Sequence, residues 1–339
     1  MIPSIEWVDN KVKMIDQTQL PRELKFLEFD DYRGVATAIK AMNIRGAPAI
    51  GVAAAMGMAL ATIEYKELPK EQFLKKMEEV ANVIRDTRPT ASNLFWAVNR
   101  IWEIISTYPD NPSGISELVI EEAKLMAQED INVNKNIGKN GAALLEDGDV
   151  VLTHCNAGSL ATVQYGTALA PVRAAIEKGK NISVIADETR PRLQGARLTA
   201  YELLYDKIPV KVISDTSSGL LMRLGKVNKV IVGTDRVTSD AVFNKIGTYL
   251  VALAAKDNNL PFYVAAPSST LSLNETVDDV TIEQRDGKEV SCVLGEVQII
   301  PDGVECLNYA FDITPFRLVS RIITEDGVFT PKELLKRYK

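Results

Sequence analysis

Apolar residues recur along this chain with two different rhythms, and the change falls near residue 149. Between about Asp30 and Gln128 the spacing is close to 3.6, which predicts helices over Asp31–Met42, Ala47–Tyr65, Lys70–Arg85, Ala91–Thr107 and Ser116–Gln128. The stretch Pro109-Asp110-Asn111-Pro112-Ser113-Gly114 separates the last two. From Asp149 onward, short runs rich in Val or Ile take over: Val150–Thr153, Ile182–Ala186, Val210–Ser214, Lys229–Gly233 and Phe262–Ala265. Helical segments such as Thr162–Glu177, Gly195–Leu204 and Thr248–Asp257 join them. Strands alternating with helices predict a parallel, doubly wound sheet with right-handed crossovers. The expected architecture is α/β, with a small, mostly helical domain over residues 1–125 and a Rossmann-like domain over residues 126–339. There is no internal repeat and no low-complexity segment.

A length of 339 residues, 46% of them hydrophobic, is enough for two domains with a substantial core. The net charge of −6 argues against a general nucleic-acid binder, which carries a basic face. It leaves room for a small anion held by a few local cations. The most apolar stretch, Ala47–Ile63, is uncharged for 17 residues, but it is rich in Ala and Gly and contains Pro48. It falls short of the ~20 apolar residues of a membrane span, so a buried helix is expected and no membrane association. Met1–Glu6 has no basic region followed by an apolar core, so no signal peptide is expected. The three cysteines, Cys155, Cys292 and Cys306, cannot all pair, which fits a reducing cytoplasm. A single histidine, His154, leaves no histidine cluster, and the cysteine spacing is unlike a zinc site; no metal is expected.

The candidate chemistry gathers at the strand ends. Val150-Val151-Leu152-Thr153 leads into His154-Cys155-Asn156-Ala157-Gly158-Ser159, where Ser159 is placed to cap a helix running through Leu160, Val163 and Leu169. A thiol there sits at the carboxyl edge of a strand and near a helix amino terminus, which favours thiolate. A small buried hydrophobe is the commoner fate of a lone cysteine, and that reading stands beside the reactive one. Strand alternation turns His154 away from Cys155, toward packing or hydrogen bonding. The other runs end in Asp187, Asp215, Asp235 and Ser268, which the fold brings to one crevice. Asp235, in Gly233-Thr234-Asp235-Arg236, is either a turn cap or an acid–base group whose pKa burial raises. Arg45-Gly46-Ala47-Pro48 places small residues and an arginine before a helix, which suits an anion as well as a plain helix start. Arg88 before the helix from Ala91, Gln194 in the loop Glu188–Ala196, and Asn244-Lys245 before another helix are weaker signals of the same kind. No Walker loop or GxGxxG is present, so no nucleotide cofactor is implied.

Taken in order, these segments resemble the methylthioribose-1-phosphate isomerase family, relatives of the α, β and δ regulatory subunits of the translation-initiation guanine-nucleotide exchange factor. The resemblance rests on Lys13–Pro21, Ile44–Gly51, Thr87–Thr90, Leu152–Gly158, Glu188–Pro191, Leu193–Arg197, Asn244–Thr248, Ala265–Thr270 and Ala310–Pro315. It implies a cytoplasmic aldose–ketose isomerase of methionine salvage, converting 5-methylthioribose 1-phosphate to 5-methylthioribulose 1-phosphate. By motif, Cys155 and Asp235 would be the catalytic pair, and Arg45, Gly46, Ala47, Arg88, Gln194, Asn244 and Lys245 would bind the sugar phosphate. The resemblance also implies a homodimer that needs no metal or organic cofactor. The chain departs from the family in having Thr234 before Asp235, a shorter loop between Asp235 and Asn244, and Asp215-Thr216-Ser217-Ser218 after its strand. Two alternatives therefore stay open. One is a sister isomerase of ribose 1,5-bisphosphate or a 5-deoxyribose 1-phosphate, with Arg45, Arg88, Arg190 and Lys245 serving one phosphate or two. The other is a regulatory subunit without catalysis, which would have no need of Cys155 and Asp235.

Overall fold

A computed structural model describes residues 1–88, 91–108 and 112–338. Pro89 and Thr90 of the Arg88 motif, and residues 109–111 of the expected helix break, lie outside the described residues. The chain divides into two compact units: Met1–Asn132 with Ser159–Gly166, and Val133–Gly158 with Thr167–Lys339. The boundary expected after residue 125 falls inside a single helix, Ile115–Gly141.

The first unit opens with an antiparallel meander that the helical rhythm did not reveal: β1 (Ile5–Val8), β2 (Lys11–Ile15) and β3 (Phe26–Phe29). Helices α1 (Tyr32–Lys40), α2 (Ala47–Tyr65), α3 (Lys70–Arg85), α4 (Ser92–Thr107) and the start of α5 (Ile115–Gly141) follow, close to where the apolar spacing put them. Asp31 caps α1 by accepting from the N–H groups of Arg33 and Gly34. Helix α3 is amphipathic, burying Phe73, Met77, Val80, Ala81 and Ile84 on one face. Helix α2 is long and apolar enough to cross a membrane, but residues Ala49 through Thr62 are all buried within the unit. Small side chains allow this: a Cβ on Gly51 would lie 3.0 Å from the Asn93 carbonyl at the start of α4. The segment Ser159–Gly166 completes this unit. Ser4 Oγ donates to Ser159 O at 2.6 Å, Gln17 Nε2 to Leu160 O at 2.7 Å, and Val163 N–H to Asp130 at 2.7 Å.

The second unit is built on a seven-stranded sheet. Its strands are β4 (Val150–Thr153), β5 (Ser183–Asp187), β6 (Val210–Ile213), β7 (Lys229–Val232), β10 (Phe262–Ala265), β14 (Arg321–Thr324) and β15 (Gly327–Phe329). The order is β15-β14-β10-β7-β4-β5-β6, parallel except for the antiparallel edge strand β15. Helices α6 (Ala170–Glu177), α7 (Ala200–Tyr205), α8 (Ser218–Arg223) and α9 (Thr248–Asp257) make the crossovers. A second antiparallel sheet joins β8 (Arg236–Val237), β9 (Ala241–Lys245) and β13 (Phe311–Pro315). The short helix α10 (Lys288–Ser291), the ribbon β11 (Cys292–Val293) and β12 (Val297–Gln298), and the last helix α11 (Pro331–Tyr338) complete it.

One expected helix is absent. Ser159 begins only a single 3-10 turn, Ser159–Ala161, and α6 starts eleven residues later at Ala170. Tyr165 and Gly166 take left-handed backbone (φ 78° and 84°), which interrupts a helix there. Leu160, Ala161 and Val163 are buried, and Val163 belongs to the first unit's hydrophobic core rather than to a helix face. The helix-dipole argument for a thiolate at Cys155 goes with that helix.

Candidate active site

Crossing the sheet from β4, the chain proceeds through β5 to β6, then returns to the other side of β4 to form β7 and β10. The connections therefore reverse direction between β4 and β7, and ligands of open α/β sheets bind beyond the carboxyl ends of the strands at such a point. Cys155 follows β4 and Asp235 follows β7, on either side of it. Gly233 lets the two loops close on each other, because a Cβ there would lie 2.5 Å from the Ala157 Cβ.

Cys155 is half-buried, with φ at 64°. Two threonines fix its backbone. Its N–H donates to Thr189 Oγ1 at 2.9 Å, and its carbonyl accepts from Thr199 Oγ1 at 2.7 Å. Thr189 is itself left-handed (φ 66°), as is Leu193 (φ 58°). Each such residue costs about 1–3 kcal/mol, and strain of this kind collects at functional sites. Local hydrogen bonds hold it in place: the N–H groups of Thr189 and Arg190 both donate to the Asp215 carboxylate at 2.7 Å. Thr199 ends a π-helical turn, Gly195–Thr199, whose wider winding precedes α7. Gly195 permits the turn to form, since a Cβ would lie 1.7 Å from the Asp187 carbonyl.

Behind the thiol loop lies a buried ionic cluster. Arg173 Nη2 sits 2.7 Å from both Glu202 and Asp206, and Asn156 Nδ2 donates to Glu202 at 2.5 Å and to Thr199 Oγ1 at 3.1 Å. Gly158 lies against that carboxylate, and a Cβ there would be 2.1 Å from Glu202 Oε1.

His154 is buried and bonded at both ring nitrogens, to Asp187 Oδ2 at 2.9 Å and Ile246 O at 2.8 Å. Burial disfavours its charged form, but the Asp187 carboxylate, with Asp215 nearby, more than offsets this and keeps the proton to higher pH than an ordinary histidine. His154, Asp187 and Asp215 place possible ligand atoms within 4.8 Å of one another. Those atoms are occupied in bonds to each other and to the Thr189 and Arg190 N–H groups, so the cluster reads as a hydrogen-bonded core.

The remaining predicted residues divide between the units. In the second, Gln194 is 6% exposed, and its Oε1 has no hydrogen-bond partner among the described residues. A buried acceptor left open beside the catalytic-loop candidates is suited to a ligand hydroxyl. Asn244 Nδ2 donates to Thr248 Oγ1 at 2.9 Å. Lys245 Nζ donates to Ala310 O at 2.9 Å and stands 4.8 Å from the centre of the Phe311 ring. The amino end of α9 is not open to a ligand anion: Asp312 accepts from Gly247 N–H at 2.7 Å and Tyr249 N–H at 3.1 Å. Burial pushes the Asp312 carboxyl up to about 6, against those bonds and the pull of His154 and Lys245. In the first unit, Gly46 is the N-cap of α2 with φ 93°, and Ala47 begins the helix with Pro48 in its first turn. A Cβ on Gly46 would lie 2.2 Å from Ala161 O. Arg45 precedes this turn and Arg88 follows α3, both half-buried.

One expectation is corrected here and a second is narrowed. Asp235 is exposed, not buried; its N–H donates to Phe243 O at 2.9 Å, which seats it at the mouth of the β8–β9 hairpin. Arg190 spends one N–H of each terminal guanidinium nitrogen on a backbone carbonyl, Pro191 O at 3.0 Å and Val290 O at 2.7 Å, which leaves fewer donors for a phosphate. Its neighbour Arg192 pairs with Glu289 at 2.6 Å. Burial opposes the charge on Glu289, but Arg285 and Arg192 hold its carboxyl down at about 2.

Residues 43–331 match the Initiation factor 2 subunit family. The chain belongs to that family. It is 54% identical over 338 residues to the methylthioribose-1-phosphate isomerase of Thermosipho africanus, covering 98% of this chain and 97% of the relative. It is 51% identical to the putative methylthioribose-1-phosphate isomerase of Methanocaldococcus jannaschii, over 99% and 98%. Among solved structures it is similar to the 5-methylthioribose 1-phosphate isomerase of Pyrococcus horikoshii, with TM-score 0.94, 40% identity, and 100% and 97% of the two chains covered. It is also similar to a structure described as translation initiation factor eIF-2B, subunit delta, from A. fulgidus, with TM-score 0.92, 46% identity, and 99% and 100% covered. Within this family fold, the sequence reading passed over Thr189, Thr199, Glu202 and Asp312 as site-building residues. Thr189 and Asp312 lie in motifs that carried the resemblance, which was the available signal.

Proposed function

We propose that this chain is a methylthioribose-1-phosphate isomerase acting in methionine salvage. The observation that supports it most is Cys155 on a strained, doubly clamped turn after the central strand, with Asp235 across the switch point, in a chain 54% identical to an isomerase over nearly its whole length. In the reaction the ring C1–O bond breaks and the ring oxygen gains a proton. C2 passes its hydrogen to C1, loses its hydroxyl proton and becomes the ketone. Asp235 donates to the ring oxygen. Cys155 serves as base at C2 or stabilises the charge that develops there. Arg45 and Arg88, with the backbone at Gly46 and Ala47, bind phosphate, while Gln194, Asn244 and Lys245 orient the sugar.

The chain works as a cytoplasmic homodimer, with a mostly helical N-terminal domain and a Rossmann-like catalytic domain. Three free cysteines support the reducing compartment. The likeness to an eIF-2B delta structure leaves a regulatory subunit as the second reading, and the retention of both Cys155 and Asp235 favours the enzyme. Turnover of 5-methylthioribose 1-phosphate, followed by ketose formation, tests the proposal. Cys155→Ser and Asp235→Asn should each lower kcat by about 10²-fold or more with the fold retained. Near-normal turnover in either variant would sink that residue's role. An inactive wild type would turn attention to ribose 1,5-bisphosphate and then to partner binding.

A further inference from the structure

The reaction outlined above leaves His154 without a task, yet its ring joins three loops that carry the proposed site. It directly precedes Cys155 in the chain. Its Nδ1 meets Asp187, the residue that leads into Glu188–Gln194, and its Nε2 meets the carbonyl of Ile246, the residue after Asn244-Lys245. A carbonyl oxygen only accepts, so Nε2 carries a hydrogen, and the pair's other proton lies between Nδ1 and Asp187. The ring is also held in place from the side. A Cβ on Gly247 would lie 2.8 Å from His154 Cε1, and Gly247 N–H is fixed by Asp312. The far oxygen of Asp187 accepts from Ser218 Oγ at 2.6 Å. The charged groups that bear on the ring are Asp187, Asp215 and Asp312, all from this unit, and Lys245 acts on Asp312 in turn.

We propose that His154 is a positioning residue for the isomerisation, with a separate duty on each side of its ring. The Nε2–Ile246 bond sets the turn that presents Asn244 and Lys245. The Nδ1–Asp187 bond sets Cys155 relative to the Glu188–Gln194 loop. Ring bonds of this kind are directional and nearly solvent-free, so losing one displaces a loop rather than merely wetting it. The inference rests on the isomerase reading for what Cys155, Asn244 and Lys245 do to substrate.

Two variants cut one bond each. His154→Gln places an amide near the Nε2 position and keeps a donor for Ile246 O while losing Asp187. His154→Asn stays near the Nδ1 position and falls short of Ile246. With 5-methylthioribose 1-phosphate, His154→Gln should lower kcat by about 10-fold or more with KM within about 3-fold, and His154→Asn should chiefly raise KM by a similar factor. Parallel changes in kcat and KM in both folded variants, as a merely structural role would produce, overturn the proposal.

A second arm needs no turnover: the rate of Cys155 alkylation by iodoacetamide, read by peptide mass with Cys292 as internal reference. His154→Gln should change that rate by about 3-fold or more while Cys292 is unaffected. An unchanged ratio overturns the proposal even if the wild type proves inactive on this sugar, which separates its failure from that of the isomerase reading. If the histidine variants do not fold, Ser218→Ala removes the short bond to Asp187, together with a longer one to Asp215 O at 3.2 Å, and leaves the ring in place. It should shift the Cys155 rate in the same sense, and no shift there is likewise fatal.

Discussion

Replacing Arg173 by Met probes the ionic cluster that backs the thiol loop. The guanidinium is 3% exposed and reaches Glu202 (3%) and Asp206 (10%), both at 2.7 Å. Met keeps much of the aliphatic stem's packing, so the change isolates the charge. It leaves two carboxylates in a site shielded from water, and breaking a buried pair from one side costs about 3–5 kcal/mol. For a chain of this size each kcal/mol is worth roughly 2–4 °C in Tm, so the transition should fall by about 10 °C. Equilibrium urea unfolding followed by circular dichroism gives the free energy directly. Lowering the pH, which neutralises the stranded carboxylates, should shrink the difference from wild type. Adding Glu202→Gln to the variant should recover part of the loss at neutral pH. A loss under about 1 kcal/mol, or one that is the same in acid as at neutral pH, would refute the idea that charge compensation holds this cluster together. Because Asn156 ties Glu202 to Thr199, and Thr199 holds the Cys155 carbonyl, kcat should fall along with stability.

Gly46→Ala puts a methyl 2.2 Å from Ala161 O at a φ of 93°, and should destabilise the first unit by roughly 1–3 kcal/mol in thermal unfolding; an unchanged Tm would contradict the close approach. The Asp312 carboxyl is raised from 3.8 to about 6, so its contribution to stability is full below the lower value and lost as pH rises through the upper one, an effect of up to about 3 kcal/mol. Asp312→Asn should therefore gain stability relative to wild type between pH 4 and pH 7 in urea titrations, and parallel pH curves would count against it. Arg88→Ala should raise KM for the sugar phosphate about 10-fold with a smaller change in kcat, since it is assigned to binding; an unaltered KM would remove Arg88 from the phosphate site.

Much of the sheet was legible in the chain because β4, β5, β6, β7 and β10 are short Val/Ile-rich runs separated by helical lengths. The strand-end position of Cys155 followed from the same pattern. The N-terminal meander was not visible: four- and five-residue strands with lysines and glutamates alternating carry little signal beside long helices. The helix expected from Ser159 failed for a different reason. Leu160, Ala161 and Val163 are all buried, Val163 in a core built from distant parts of the chain, and a local pattern cannot tell that from a helix face. The burial of Asp235 was inferred from its strand-end position, and the hairpin that follows carries it out to solvent instead. Thr189 and Thr199 escaped notice because a hydroxyl that clamps a backbone leaves no periodic trace.

The eight residues Ser159–Gly166 have a consequence for how such a chain is inherited. They belong to the first unit, although more than two dozen residues of the second precede them. The polypeptide crosses from one unit to the other three times, so no single cut frees the first unit intact. A fragment ending at Asn132 would lose the partners of Ser4, Gln17 and Asp130 at once. The N-terminal unit is therefore not a cassette that recombination at one junction can add or remove. A recombination that keeps the first unit whole must carry Val133–Gly158, the thiol loop included, along with it.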